Sequence, residues 1–361
     1  MLPVFVKAWR LFLSTGKNNH AVAAVRRAFA FQPSSSSVTS IVTSERWFSS
    51  ITSPHRMVAF PSLEAQKASS YINNKVVSTM KHFINLNEFD AETLQGMLKK
   101  AHELKAQKFH SPQLFQGMTL AMMFDKLSTR TRVSFDVAMK QLGGHTVVMN
   151  MQEMQIGGKE SVESTAKTLS RFVDAIMIRM SDHATLEELA KHSDVPVING
   201  MTNDSHPCQI MADLMTIEEK IGSIKGKKIA WFGDDNNVSK TYVQAAPIFE
   251  FDFVTSTPFN DVKPEEAAKD ADVIITDTWV SLGQEGKDIK EFEPYQVNKQ
   301  LMALAKPHAI FMHCLPIKEW EEVTEDVAKS PASVIFDEAE NRLHAQKAIL
   351  AYCLADAGVK I

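Results

Sequence analysis

Cysteine is scarce: Cys208, Cys314 and Cys353 are the only three in 361 residues. That is too few and too scattered for a disulfide scaffold, so a reducing compartment is expected. Long apolar runs are missing as well, and none reaches the length needed to span a bilayer, so no membrane partner is expected. The formal net charge of −4 leaves no basic excess to attract nucleic acid. Ile229 to Gly233 has the look of a nucleotide-binding strand and turn, yet no G-x-G-x-x-G follows any strand-like run, which argues against a dinucleotide-dependent dehydrogenase. There is no internal repeat and, after Ser53, no low-complexity segment.

What is present is a hydrophobic share of 44% and a charged share of 23%, on a chain too long for one comfortable core. Two domains are therefore expected. The small net charge hides an asymmetry. Residues 1–56 hold seven Lys and Arg against one acid, Glu45, a balance of +6 that leaves −10 for the rest. With Ser34 to Ser37 and further Ser and Thr up to Ser53, this basic, hydroxyl-rich, acid-poor segment reads as an organellar transit peptide. A mitochondrial matrix address is favoured, with a plastid as the alternative. Arg46-Trp47-Phe48-Ser49-Ser50 is the expected processing neighbourhood, and 57–80 reads as a linker.

From there the apolar periodicity alternates. Leu94, Met97, Leu98 and Ala101 recur at helical spacing behind a capping Asp90. Strands are predicted at Met118 to Phe124, His145 to Met149, Ala175 to Arg179 and Val197 to Asn199, with helices from near Val133 to Gln141, around Val162 to Val173, from Leu186 to Lys191, and from Pro207 to Lys220. After a break at Gly222 to Gly226, further strands are predicted at Lys228 to Phe232, Phe251 to Ser256, Val273 to Thr276, Ala309 to His313 and Val334 to Phe336. A last helix is predicted from about Ala339 to Leu354. Such alternation predicts an α/β protein of two doubly wound domains, each a parallel sheet flanked by helices, joined by interdomain helices. The expected boundaries are 81–217 and 218–338, with 339–361 returning to the first domain. Ligands belong at the carboxyl ends of the strands, in a cleft between the domains.

Ser128-Thr129-Arg130-Thr131-Arg132 lies where a strand passes through a short turn into a helix. An isolated Arg-x-Arg is commonly a solvated basic turn. Here the hydroxyls, two guanidinium groups and the unpaired amides of a helix start converge, and an oxyanion meets such a group well. His206-Pro207-Cys208-Gln209 sets Pro207 in a first helical turn, so its polar neighbours point out of the helix start. His313-Cys314-Leu315-Pro316 closes another strand.

These three motifs together resemble the aspartate/ornithine carbamoyltransferase family, from about Lys81 to the last helix. The resemblance implies carbamoyl transfer from carbamoyl phosphate to the side-chain amine of L-ornithine, with no cofactor and no metal. It assigns Ser128, Thr129, Arg130 and Thr131 to the phosphate, and Arg179 to phosphate and carbonyl oxygen. His206 is implied as donor to the carbonyl oxygen, while Gln209 and the Cys314 and Leu315 carbonyls are implied as acceptors from the carbamoyl NH2. Arg342 is placed beside the same ligand. The loop around Gln155 is implied to reach a neighbouring subunit's site in a homotrimer. For the amino acid, Asp277 is implied to pair with the α-amino group, Asn237 to hold the α-carboxylate, and Ser281 and Leu282 to add contacts. The implied catalytic set is Arg130, Arg179, His206, Asp277 and Cys314.

If neighbouring cations lower its pKa, Cys314 is expected to take part as a thiolate in deprotonating the amine. Asp235 stands where the family usually has a glycine, which is expected either to strain a positive-φ turn or to add negative charge near the carboxylate subsite. Leu282 replaces a usual methionine at little cost in volume. Two rival readings are a carbamoyltransferase for another amine (acetylated ornithine, putrescine or aspartate) and a zinc site gathering His206, Cys208, His313 and Cys314.

Overall fold

Residues 81 to 355, apart from 108–109, 155, 157, 281–287 and 319, are described by a computed structural model. The basic segment 1–56 and the linker 57–80 lie outside these. Helix α1 (Ala91–Ala106) buries Leu94, Met97, Leu98, Ala101 and Leu104 along one face. It starts where the sequence says it should, with the Asp90 carboxylate accepting from the Thr93 amide at 2.7 Å, a bond worth about 1 kcal/mol.

The first lobe continues with β1 (Thr119–Phe124), α2 (Thr129–Gln141), β2 (His145–Asn150), α3 (Val162–Leu169), β3 (Ala175–Arg179), α4 (His183–His192), β4 (Val197–Met201) and α5 (Pro207–Ile221). Its four strands are all parallel, in the order β2-β1-β3-β4. Parallel strands need cover on both faces, and the interior of β1 and β3 is accordingly unbroken apolar sequence with zero exposure from Leu120 to Met123 and from Ala175 to Ile178. Only the edge strand β2 departs from this, leaving Val147 and Val148 exposed.

The second lobe repeats the plan with β5 (Lys228–Phe232), α6 (Asn237–Phe249), β6 (Asp252–Ser256), α7 (Pro264–Ala268), β7 (Val273–Thr276), α8 (Lys299–Met302), β8 (Ile310–His313) and α9 (Glu325–Ala328). Its parallel order is β6-β5-β7-β8. In each sheet the chain runs one way from the first strand and then crosses back, so a switch point opens between β1 and β3 and between β5 and β7. Connections leave such a point in opposite directions, which makes a crevice at the strands' carboxyl ends. Thr129 to Thr131 and Arg179 flank the first switch point. Asp234 to Asn237 and Asp277 flank the second.

The last helix, α10 (Ile335–Leu354), is 20 residues long, about 30 Å at the α-helical rise. Ile335 packs into the second lobe's core, whereas Ala345 to Leu354 join the larger core, which holds Leu94 and Met122 from the first lobe together with Trp231 and Tyr242 from the second. This helix starts earlier than the sequence predicts, and the strand expected at Val334 to Phe336 does not form. Phe311 does exchange hydrogen bonds with Ala332 and Val334, but the contact ends as one isolated bridge. Asp337 and Glu338 follow within the next turn, where acids favour a helix amino terminus, and they outweigh the β-branched pair Val334-Ile335. The start of α2 shifts likewise, from near Val133 to Thr129, so the Ser-Thr-Arg-Thr-Arg pentad is the helix's cap and first turn rather than a loop before it.

Candidate active site

The first turn of α2 has no acid, carries two arginines, and its cap residue Ser128 makes no side-chain capping bond. Cations at a helix amino terminus oppose the macrodipole, so this turn is arranged for a negative ligand rather than for stability. Arg130 from α2, Arg179 from the end of β3 and Arg342 from the amino-terminal half of α10 converge there. Thr131, 1% exposed, accepts from Arg179 Nη1 at 3.0 Å and from Arg342 Nη2 at 3.3 Å. Among the described residues no carboxylate ion-pairs with any of the three. Burial, then the charges of Arg342 and Arg130, bring the Arg179 pKa down to about 10, and burial lowers that of Arg342. Both remain cations at neutral pH. Their Nε atoms are buried without an acceptor. Orphaned donors in a cluster of like charge call for an oxyanion.

His206 caps α5, with Pro207 as the helix's first residue, and its backbone amide donates to Thr241 Oγ1 of α6 at 2.9 Å. The imidazole is 5% exposed. Burial, then Arg342, Arg179 and Arg130, hold its pKa well below the ordinary histidine value. It is therefore a neutral ring at physiological pH, fit to give or take one hydrogen bond, and its Nδ1 is unpartnered. Gln209 is buried one turn further on. Its Nε2 donates to Asp213 and Glu338 at 2.8 and 2.9 Å, and its Oε1 accepts from Arg342 Nη1 at 2.6 Å.

The second lobe presents the opposite charge. Asp277, just past β7, accepts from Asn236 Nδ2 and its neighbour's amide, Thr278 N–H, both at 2.8 Å, and from the Cys314 thiol at 3.1 Å. All three donors are neutral, so the carboxylate has no cation of its own. Past β8, Leu315 adopts a left-handed φ of 61°, which costs a non-glycine residue about 1 kcal/mol or more. His313 holds it there: Nδ1 accepts from the Leu315 amide at 2.8 Å, which places the ring proton on Nε2, 2.9 Å from Glu322 Oε1. The Leu315 carbonyl in turn accepts from Arg130 Nη2 at 2.5 Å, a bond from the first lobe to the second. Asn237 Nδ2 makes another, to the Thr202 carbonyl at 2.5 Å. Three guanidinium groups thus face a thiol and an unpaired carboxylate across the crevice.

Residues 81–219 match the family described as aspartate/ornithine carbamoyltransferase, carbamoyl-P binding domain, and residues 259–353 match the Asp/Orn binding domain of the same family. The chain belongs to the aspartate/ornithine carbamoyltransferase family. An ornithine carbamoyltransferase of Brucella abortus (strain 2308) is 51% identical to it over 306 residues, covering 78% of this chain and 97% of that protein. Among solved structures, ornithine carbamoyltransferase from Pyrococcus furiosus is 47% identical with a TM-score of 0.73, covering 75% of this chain and 96% of that one. A mitochondrial ornithine carbamoyltransferase from Coccidioides immitis is 32% identical with a TM-score of 0.71, covering 78% and 100%.

For a carbamoyltransferase of this family, the structure brings Arg130, Thr131, Arg179, His206, Gln209, Asp277, Cys314, Leu315 and Arg342 to the crevice. Ser128 and Thr129 form the rim of the same turn, while Arg132 is exposed on the far side of α2 beside Asp136. Gln155, Ser281 and Leu282 lie outside the described residues. One N–H of the Asn237 amide goes to the Thr202 carbonyl, and the side chain of the preceding Asn236 reaches Asp277. Asn236 also caps α6, accepting from Val238 and Ser239. The strain expected at Asp235 does not arise, since the left-handed residue in that turn is Gly233, at φ 108°. A Cβ on Gly233 would lie 2.7 Å from Trp279 Nε1. Asp235 instead accepts from Ser239 Oγ at 2.8 Å, a favourable charge at the start of α6. Asp213, Glu322 and Glu338 were not legible as site residues, because nothing in their spacing marks an acid buried behind the site.

The four residues of the zinc alternative are not brought together as ligands, since the Cys208 thiol donates to the Asn199 carbonyl at 3.3 Å. Asp277, His313 and Cys314 do offer ligand atoms within 4.8 Å of one another, but both nitrogens of His313 are already engaged. The thiolate expected at Cys314 is also overturned. Burial, then the charges of Asp277 and Glu338, push its pKa well above the ordinary thiol value, so it stands as a hydrogen-bond donor. Cys314→Ser is therefore expected to leave the shape of the kcat pH profile unchanged between about pH 6 and 9, whereas Cys314→Ala lowers kcat by about tenfold through the lost donor to Asp277. An alkaline limb that vanishes in Cys314→Ser would show the thiol ionising after all.

Proposed function

We propose that the protein transfers the carbamoyl group of carbamoyl phosphate to the side-chain amine of L-ornithine, giving L-citrulline and phosphate. The observation that carries this reading is the pairing of an anion site built from Arg130, Arg179 and Arg342 with a facing carboxylate, Asp277, that lacks a cation. The guanidinium groups hold the phosphate and neutralise it as it leaves. Arg130, Arg179 and His206 supply donors where the carbonyl oxygen gains charge, and the fixed donors need no reorganisation during attack. Asp277 binds the substrate's α-ammonium and so points its uncharged side-chain amine at the carbonyl carbon. Aspartate would bring two carboxylates to a wall carrying Asp277 and no described cation in contact with it. The test is citrulline formation by the full chain, with carbamoyl phosphate offered ornithine, aspartate, putrescine and acetylornithine in parallel. Ornithine is expected to be preferred by orders of magnitude, and preference for any other amine would overturn the reading.

The assembly we propose is a homotrimer in which the loop around Gln155 completes a neighbour's site. Support comes from the edge strand β2, which leaves two valines exposed, Val147 and Val148, one on each face of the sheet. Mixing Arg130→Ala protein with Gln155→Ala protein is expected to restore part of the activity, because some interfaces then carry both wild-type residues. No recovery after subunit exchange would argue against shared sites. The basic, hydroxyl-rich 1–56 segment supports import into the mitochondrial matrix, with a plastid as the alternative. Sequencing the amino terminus of organellar protein would test it, since an intact Met1 is incompatible with a cleaved leader.

A further inference from the structure

Behind the anion site lie two acids that the transfer reaction does not use. Asp213 on α5 and Glu338 on α10 are each 2% exposed. Gln209 Nε2 donates to both, to Asp213 Oδ1 at 2.8 Å and Glu338 Oε1 at 2.9 Å. The other oxygens accept from Tyr242 OH of α6 and from the His313 amide at the end of β8, both at 2.8 Å. The pair therefore joins the helix behind His206 to the strand that ends at His313. Every donor to it is neutral, and among the described residues no ion pair reaches either carboxyl. The charged and titratable groups around it are Arg342 on its own helix α10, Tyr242 on α6, Asp277 past β7, and His313 and Cys314 at β8. One cation does not balance this many acids. Two carboxylates sharing a dry site cannot both stay ionised at neutral pH, and burial accordingly raises the pKa of each.

We propose that Asp213 and Glu338 share one proton and act as a positioning pair for the anion site, fixing which way the Gln209 amide faces and hence where the Arg342 guanidinium points. With its NH2 committed to the two acids, Gln209 must turn its oxygen toward Arg342, 2.6 Å away. The reversed amide would set oxygen against two carboxyls and NH2 against a guanidinium. The shared proton leaves one negative charge near Arg342, enough to offset burial of that cation without neutralising the phosphate site.

The carbamoyl phosphate arm rests on the proposed function, whereas the spectroscopic arm needs no substrate. Infrared spectra of the full-chain protein in H2O and D2O should show a protonated-carboxyl C=O stretch that is lost in both Asp213→Asn and Glu338→Gln. Each amide leaves a lone acid that keeps the pair's single charge. Absence of the band in wild type, or its persistence in both variants, overturns the shared proton. In kinetics, Glu338→Ala is expected to raise KM for carbamoyl phosphate about tenfold, as for a buried donor that loses its acceptor, with KM for ornithine little changed and a smaller effect in Asp213→Asn. A parallel rise in both KM values would mark a merely structural role. Should Glu338→Ala fail to fold, Asp213→Asn supplies both readings. A wild type that shows the band but makes no citrulline would contradict the proposed function and leave the pair standing.

Discussion

Arg130→Ala is expected to lower kcat/KM by about 10³, the scale for removing one preorganised donor from a developing charge, while leaving thermal stability unchanged or slightly higher. The sign of the stability effect follows from position. Arg130 is the second residue of α2, in a first turn without a single acid, where its charge opposes the helix dipole by about 0.3 to 1 kcal/mol. What it gives in return is its bond to the Leu315 carbonyl and its place beside Arg179 and His206. Function is held at some cost in stability. Arg130→Lys keeps the charge but not the planar fork, and only part of the lost rate should return. Steady-state kinetics with thermal unfolding of the same samples checks both halves. A variant that loses stability and activity together would show the residue to be structural.

Asp277→Asn carries the second large effect, on the other substrate. The carboxylate is 9% exposed and held by three neutral donors, so its charge is left for an incoming ammonium group. Taking one partner from a largely buried ion pair costs about 3 to 5 kcal/mol, equivalent to a rise of between about 10² and several times 10³ in KM for ornithine. Asparagine conserves the volume, and its one oxygen can still accept from the Thr278 amide and the Cys314 thiol, which share Oδ1, so the fold should be kept. KM for carbamoyl phosphate is expected to move little. If both KM values rise together, Asp277 supports the crevice as a whole rather than the amino acid.

Much of this architecture was legible because parallel sheets leave a strong trace. The runs at Ala175 to Arg179, Lys228 to Phe232 and Val273 to Thr276 are strands with those bounds, since burial on both faces demands unbroken apolar sequence. Short motifs at strand ends pointed to the crevice for a related reason: polar residues crowded at a strand's carboxyl end must be satisfied somewhere. Val334 to Phe336 misled because three apolar residues cannot tell a strand from a helix start, and the acids after them decided it. Cys314 misled because sequence shows the arginines in its motif set but not the burial of the thiol, which together with the charges of Asp277 and Glu338 pushes its pKa up. Asn236 was not singled out because nothing in the Asp234-Asp235-Asn236-Asn237 run marks which side chain reaches Asp277, and only the fold brings it there.

The central claim, that one lobe grips the phosphate end and the other the amino acid, is tested most directly by calorimetric titration of carbamoyl phosphate without ornithine into wild type, Arg130→Ala and Asp277→Asn. Wild type and Asp277→Asn should bind with closely similar affinity, and Arg130→Ala should bind at least about tenfold more weakly. Equal binding by all three, or loss in Asp277→Asn alone, would contradict the division of the site between the lobes.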